Sequence, residues 1–267
     1  MSTDKSLTAP PDAGAADWLV AGVRDFDYTV RSVVPTVFDA YARVFHPAER
    51  RRGDSVVDVR WAEVASANGR KMHPAAGWGS LTGSWQLRGQ PGLWDAKPRT
   101  GELPAAVATT VADALSGHTA SPEHCWFALS GGREVLDSVL LFHEDVPAYE
   151  RGRYRKAWGS RRAAWDRLAR SEAPRFELPD RPMRLLRGGL AALHELYDAD
   201  DPPNLWWPDD RAWCVGSEID LMTTYVGGTR ACIEALLADD RLEVLAVLVD
   251  QGVTWDADTI NPLPGAP

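Results

Sequence analysis

The sequence predicts an α+β fold, a single domain in which helices pack on a mixed or antiparallel sheet. Its 267 residues are 45% hydrophobic and 25% charged, a composition typical of a globular domain with a sizeable core. Strand-like and helical segments interleave, but without the regular cadence of βαβ units. We expect the domain to cover residues 17–255, with a disordered tail over residues 1–16 and a loose tail over residues 256–267.

Two segments carry the apolar spacing of an amphipathic helix. In "PTVFDAYARVFHP", five apolar residues within 37–45 recur at helical spacing between two prolines. In "LPAAVATTVADALSG", apolar residues four positions apart follow Pro104 and precede Gly117, a favourable start and stop for a helix. The sequence therefore predicts helices in both segments, and two further helices over residues 154–170 and 189–198.

Shorter segments rich in β-branched and aromatic residues predict the strands. They are "SVVDVRWAEV", "HCWFAL", "RFEL", "RPMRLL", "RAWCVGSEID" and "LEVLAVLV". Side chains alternate between the two faces of a strand, so Trp213 and Val215 are expected to face the core together.

Two carboxylates stand at the exit of the strand "RAWCVGSEID". Glu218 and Asp220 point to the same face, and "TTYVGGTRAC" follows with Tyr225, a glycine pair and Arg230. One interpretation is an acid/base or metal-holding pair in a pocket shaped by Tyr225, the glycine turn and Arg230. The other treats the acids as solvated strand ends, the glycines as a turn and Thr229 as a helix N-cap.

Aromatic and basic residues point to recognition surfaces. Trp206 and Trp207 precede Pro208 in a predicted loop between acidic segments, where their rings either fold back into the core or bind a partner. Twelve tryptophans make aromatic packing a general feature of this chain.

An arginine-rich segment is the second candidate surface. "ERGRYRKAWGSRRAAWDRLAR" includes Arg155, Arg161 and Arg162, interleaved with aromatic residues. A basic helix face of this kind suits an acidic partner protein or the phosphates of a nucleic acid, whereas the alternative is a solvated helix on an otherwise acidic body. If the segment is an interface, reversing these three arginines to glutamate should abolish association without changing the melting temperature.

The charge and hydropathy of the chain argue against some classes of partner. The formal net charge of −9 and the pI near 5.2 disfavour a chain-wide attraction to nucleic acid or to an anionic membrane. No run of 18 apolar residues occurs, and the first residues lack the pattern of a secretory signal. We expect a cytoplasmic protein with a protein partner rather than a nucleic acid.

Cysteine and histidine spacing predicts neither a metal site nor a cofactor. Cys125, Cys214 and Cys232 are far apart and flanked by apolar residues, which indicates buried, reduced thiols rather than nucleophiles. No CxxC pair, paired-histidine spacing or nucleotide-binding glycine motif is present, and Ser130 lacks the GxSxG frame of a catalytic serine.

The run "LWWPDDRAWCVGSEIDLMTTYVGGTRACIEALL", with "VFDAYARVFHPA", "WAEVA" and "GLWDAKPRTGELP" upstream, resembles a family of uncharacterised proteins of high-GC Gram-positive bacteria. The resemblance covers most of the chain after about residue 30. It implies a bacterial, cytoplasmic protein, and no catalytic or binding role comes with it.

Two hypotheses for the function follow. The first is a non-catalytic binding protein that presents aromatic loops and the arginine-rich helix to a macromolecular partner. The second is a small hydrolase or transferase that uses Glu218 and Asp220. They differ in what the fold should show, because an enzyme needs carboxylates that converge in a concave pocket, whereas a binding protein needs exposed aromatic rings.

Overall fold

The structure is a computed structural model that describes residues 7–23, 27–85, 89–130, 173–179 and 181–264. Its strands are β1 (Ala40–Phe45), β2 (Ala48–Arg52), β3 (Ser55–Val59), β4 (Cys125–Ser130), β5 (Arg175–Leu178), β6 (Arg181–Gly188), β7 (Leu205–Pro208), β8 (Trp213–Ser217), β9 (Thr223–Gly228) and β10 (Val244–Val247). Its α-helices are α1 (Asp17–Gly22), α2 (Trp61–Ala67), α3 (Trp78–Thr82), α4 (Ala105–Ser116), α5 (Leu193–Asp198) and α6 (Arg230–Leu237).

Eight of these strands form one antiparallel sheet in the order β10-β1-β9-β8-β7-β4-β6-β5, and β2 and β3 form a separate hairpin. At the centre of the sheet, Tyr225 of β9 lies opposite Arg43 of β1 on one side and Gly216 of β8 on the other. The predicted α+β class and the single domain are confirmed.

The two faces of the sheet have different covers. Helices α4, α5 and α6 pack on one face, where apolar residues of the helices meet Val44, Val215 and Val226 of the strands. The N-terminal segment with α1 packs on the other, with Leu19 and Val23 among its buried residues. Helices α2 and α3 complete a third cluster at one end of the sheet.

The helix predicted over residues 37–45 is wrong, because residues 40–45 form β1. This strand lies inside the sheet and is covered on both faces, so five of its six side chains are buried. A strand with apolar residues on both faces lacks the alternation of a half-exposed strand, and its apolar positions fit a helical period equally well.

The strand predicted from "SVVDVRWAEV" is half wrong. Residues 55–59 form β3, but helix α2 begins at Trp61. A local contact sets this boundary, since the Arg60 backbone N–H donates to Glu63 Oε1 at 3.2 Å in the manner of a capping box.

The predicted glycine turn is also wrong, because Gly227 and Gly228 end strand β9. A Cβ at Gly227 would lie 2.4 Å from the Phe38 ring, and one at Gly228 would lie 2.9 Å from Cys232 Sγ. The two glycines therefore allow close packing on the sheet. The predicted N-cap of the next helix is confirmed, since Thr229 Oγ1 accepts the Cys232 N–H at 3.2 Å.

Other local predictions agree with the structure. Helix α4 begins directly after Pro104 and ends before Gly117, and residues 190–198 form a 3-10 turn followed by α5. The helix predicted over residues 154–170 lies outside the described residues. Within the described ranges, no helix is long and apolar enough to cross a membrane.

Both predicted tails contain ordered residues where the structure describes them. Near the N-terminus, Thr8 pairs with Arg187 at the sheet, and Ala16 is fully buried. Near the C-terminus, Asp258 and Asn261 are buried. Both residues form hydrogen bonds with the segment that precedes α3.

Candidate binding site

The two carboxylates predicted as a catalytic pair have different surroundings. Glu218 is buried and forms an ion pair with Arg181, whose Nη2 also donates to the Ser32 carbonyl at 2.8 Å. The other carboxylate oxygen of Glu218 accepts the Ile219 N–H at 2.8 Å. Asp220 is exposed in the turn after β8. Because Arg181 already holds the Glu218 carboxylate, the two acids do not form a converging pair.

Trp206 and Trp207 are core residues of β7, each only 1% exposed. Trp206 contacts Trp213 edge to face on the helix-covered side of the sheet, and Trp207 contacts Trp18 on the other side. Neither ring presents a surface in this conformation. The expected loop is an inner strand, between β4 and β8, because its three apolar residues find cover on both faces.

The remaining predicted site residues do not gather in one place. Tyr225 is buried on β9, whereas Arg230 is exposed at the first position of α6. Arg155, Arg161 and Arg162 lie outside the described residues.

A different group of residues surrounds a cavity of about 170 Å³ where α3, the end of β1 and the C-terminal segment meet. Its aromatic walls are Trp61, Trp78, Trp85 and Trp255, and its charged lining residues are Arg43, Lys97 and Asp220. The other lining residues are Gly77, Gly79, Ser84, Leu221, Met222, Thr223, Val253 and Thr254. We refer to this space as the tryptophan cavity.

Arg43 is the most unusual residue of the tryptophan cavity. It is 6% exposed, and its guanidinium carbon lies 4.7 Å from the Phe45 ring centroid and 5.7 Å from that of Trp61. Its Nη1 donates to the Pro74 carbonyl at 2.7 Å, and its Nε–H is buried without an acceptor. Among the described residues, no carboxylate lies within ion-pair distance of it.

The electrostatics of Arg43 are those of a charge that lacks a counter-ion. Burial lowers the pKa of Arg43, and electrostatic interactions with Tyr225 and Asp258 raise it. An arginine side chain nevertheless stays cationic in proteins. Aromatic faces stabilise such a cation by about 0.5–2 kcal/mol, less than the several kcal/mol that burying an ion costs.

Trp85 and Trp255 form the mouth of the cavity. Their rings meet edge to face, with centroids 5.3 Å apart, and they are 39% and 61% exposed. Gly79 of α3 makes room for this pair, since a Cβ there would lie 2.6 Å from the ring of Trp85. Two exposed indoles beside a cavity are typical of a binding surface rather than of a core.

Asp258 attaches the C-terminal segment to the start of α3. Its Oδ1 accepts from His73 Nε2 at 2.8 Å, and its Oδ2 accepts from the Gly77 N–H at 3.1 Å and from Asn261 Nδ2 at 3.0 Å. Burial alone would raise the pKa of Asp258, but hydrogen bonds from Asn261, Gly77 and His73 lower it below its ordinary value. A charged Asp258 thereby helps to position Trp255, three residues away.

The described residues offer little catalytic chemistry near the cavity. Ser80 Oγ is buried without a partner, but both nitrogens of the nearby His73 are engaged, Nε2 by Asp258 and Nδ1 by the Ala75 N–H at 3.3 Å. No serine is therefore paired with that imidazole as a general base. Among the residues that the structure describes, no group of three His, Cys, Asp or Glu residues could hold a metal ion.

Sequence reasoning missed this site because its parts come from distant segments. The sequence placed Arg43 in a predicted helix and Asp258 in a predicted tail, and the glycines of "GWGSLTGSW" lack the spacing of a phosphate-binding loop. One signal was available, since that segment places Trp78 and Trp85 around two glycines. Comparison with known proteins finds no matching family, no matching curated protein and no matching solved structure.

Proposed function

We propose that this chain is a non-catalytic binding protein whose ligand occupies the tryptophan cavity. The proposal depends on Arg43, because this residue is a buried cation that forms no ion pair with the described residues. A ligand with an anionic group would supply the missing charge and would accept from Nη2, which has no acceptor among the described residues. Such charge-assisted hydrogen bonds are the strong ones, about 1.5–3 kcal/mol each.

The surroundings of Arg43 support a recognition role. The cavity is concave, with apolar aromatic walls and few polar groups, which is the usual composition of a small-molecule site. Lys97 and Asp220 also line the cavity with opposite charges, so the preference for an anion rests on Arg43. The binding hypothesis from the sequence also combined aromatic rings with arginine, but it placed them on other residues.

The enzyme hypothesis gains no support from these contacts. Glu218 is held by Arg181, and Asp220 stands alone at the cavity. The macromolecular partner expected from the sequence remains a prediction, because Trp206 and Trp207 are buried and the arginine-rich segment lies outside the described residues.

The test is a screen of small carboxylates and phosphates for ligands that raise the melting temperature. A ligand that binds only the folded state stabilises it by mass action. We expect hits with the unmodified protein, no response in Arg43→Gln, and an unchanged response in Arg52→Gln, which removes an exposed arginine of β2. Hits that survive in Arg43→Gln, or a screen without hits, would contradict the proposal.

A further inference from the structure

We infer that the ligand of the tryptophan cavity is a monocarboxylate with a single planar ring. This inference rests on the proposed function and adds the size, the charge and the anionic group of the ligand.

The volume of the cavity sets the size of the ligand body. A protein cavity of about 150 Å³ lined by apolar side chains accommodates one benzene molecule. At about 170 Å³, the tryptophan cavity has room for one ring with a small substituent.

The walls of the cavity favour a planar, unsaturated ring. Indoles of Trp61, Trp78, Trp85 and Trp255 line it, and those of Trp61 and Trp78 meet with centroids 5.1 Å apart. Aromatic rings contact one another edge to face or offset, which adds about 0.5–1.5 kcal/mol to the burial of their area. A saturated aliphatic acid of similar size would gain the burial but not these contacts.

The charges around the cavity favour a monoanion. The charge without a counter-ion at the cavity is the single positive charge of Arg43. A carboxylate matches this charge, whereas a phosphate monoester carries about two negative charges at neutral pH.

The guanidinium of Arg43 also suits a carboxylate by its shape. Pro74 takes one Nη1 donor, and Nη2 has no acceptor among the described residues and is not sealed from solvent as Nε is, so the Nη end of the fork keeps donors for a planar partner. A carboxylate accepts two parallel N–H bonds from such a fork. Lysine in place of arginine would keep the charge and lose this geometry.

The experiment measures the affinity of the full chain for four probes by calorimetry: benzoate, its neutral analogue benzamide, acetate and inorganic phosphate. We expect benzoate to bind, and each of the other three to bind at least about tenfold more weakly. Arg43→Lys should lower the benzoate affinity by at least about tenfold, and Arg52→Lys should leave it unchanged.

The outcomes separate this inference from the proposed function. Phosphate or acetate binding that depends on Arg43, with benzoate equal or weaker, would overturn the ring and carboxylate assignment and leave the anion site standing. Equal affinities for benzoate and benzamide would overturn both, and so would the absence of binding by all four probes. The benzoate and benzamide comparison needs no variant, so the test holds even if an Arg43 variant fails to fold.

Discussion

The indole rings of Trp85 and Trp255 lie edge to face at the mouth of the tryptophan cavity, with centroids 5.3 Å apart. The two residues lie 170 positions apart in the sequence. Asp258 holds the segment of Trp255 against the start of α3, and Gly79 allows the ring of Trp85 to lie against that helix. The mouth therefore depends on contacts of the backbone as well as on the rings themselves.

Gly79→Ala should displace Trp85 from the mouth. The new methyl group would overlap the Trp85 ring, which is partly exposed and free to move outward. We expect a changed near-ultraviolet circular dichroism spectrum and weaker benzoate binding. Gly117→Ala is the matched control, because a Cβ there meets nothing within 4 Å. Identical spectra for the two variants would contradict this role of Gly79.

Glu218→Gln should destabilise the fold by about 3–5 kcal/mol. The substitution removes the buried negative charge that faces the Arg181 guanidinium, whose side chain is only 11% exposed. Asp220→Asn removes an exposed charge nearby and should change stability by no more than about 0.5 kcal/mol. Urea unfolding measures both, and similar small losses would show that the Arg181–Glu218 pair contributes little.

Stability should decline in mild acid because of His46. Its Nδ1 donates to the Arg99 carbonyl at 2.7 Å, Nε2 accepts from Thr224 Oγ1 at 2.8 Å, and burial lowers its pKa from 6.5 to about 4. The unfolded chain takes up this proton at higher pH than the folded chain does. The His46 contribution is therefore present above about pH 6.5 and is lost towards pH 4, at about 1.4 kcal/mol per pH unit.

The variant His46→Gln tests this slope. Free energies of unfolding, measured in urea across that pH range, should depend less steeply on pH in the variant, even though its stability at neutral pH is lower. Parallel pH profiles for the two proteins would exclude His46 as the source.

Trp213→Ala should cost about 3–5 kcal/mol of unfolding free energy, the usual loss for a fully buried aromatic side chain. The ring is 0% exposed, contacts Trp206, and donates from Nε1 to the Leu115 carbonyl at 3.1 Å. Trp255→Ala removes a ring that is 61% exposed and should cost far less. Comparable losses in urea unfolding would place Trp213 outside the cooperative core.

The three cysteines should resist thiol reagents in the native state. All three are buried, and burial raises the pKa of Cys125 and of Cys232 to about 12 and also raises that of Cys214. A thiol with a raised pKa contains little reactive thiolate at neutral pH. Labelling should therefore appear only as denaturant unfolds the chain. Fast labelling of Cys125 in buffer would contradict its burial.

The sequence by itself determined the features that depend on neighbours in the chain. The helix between Pro104 and Gly117, the N-cap at Thr229 and the α+β class follow from local spacing and capping. Burial of the cysteines also followed from their apolar neighbours.

Only the tertiary structure decided the assignment of β1 and the location of the site. Residues 40–45 became a strand because both faces of the sheet are covered, which removes the alternation that identifies a strand in sequence. The tryptophan cavity joins Arg43, Trp85 and Trp255 from distant segments, and no local pattern encodes their meeting. The missing counter-ion of Arg43 is visible only when the surroundings of its guanidinium are known in three dimensions, because an unpaired charge is a property of contacts and not of spacing.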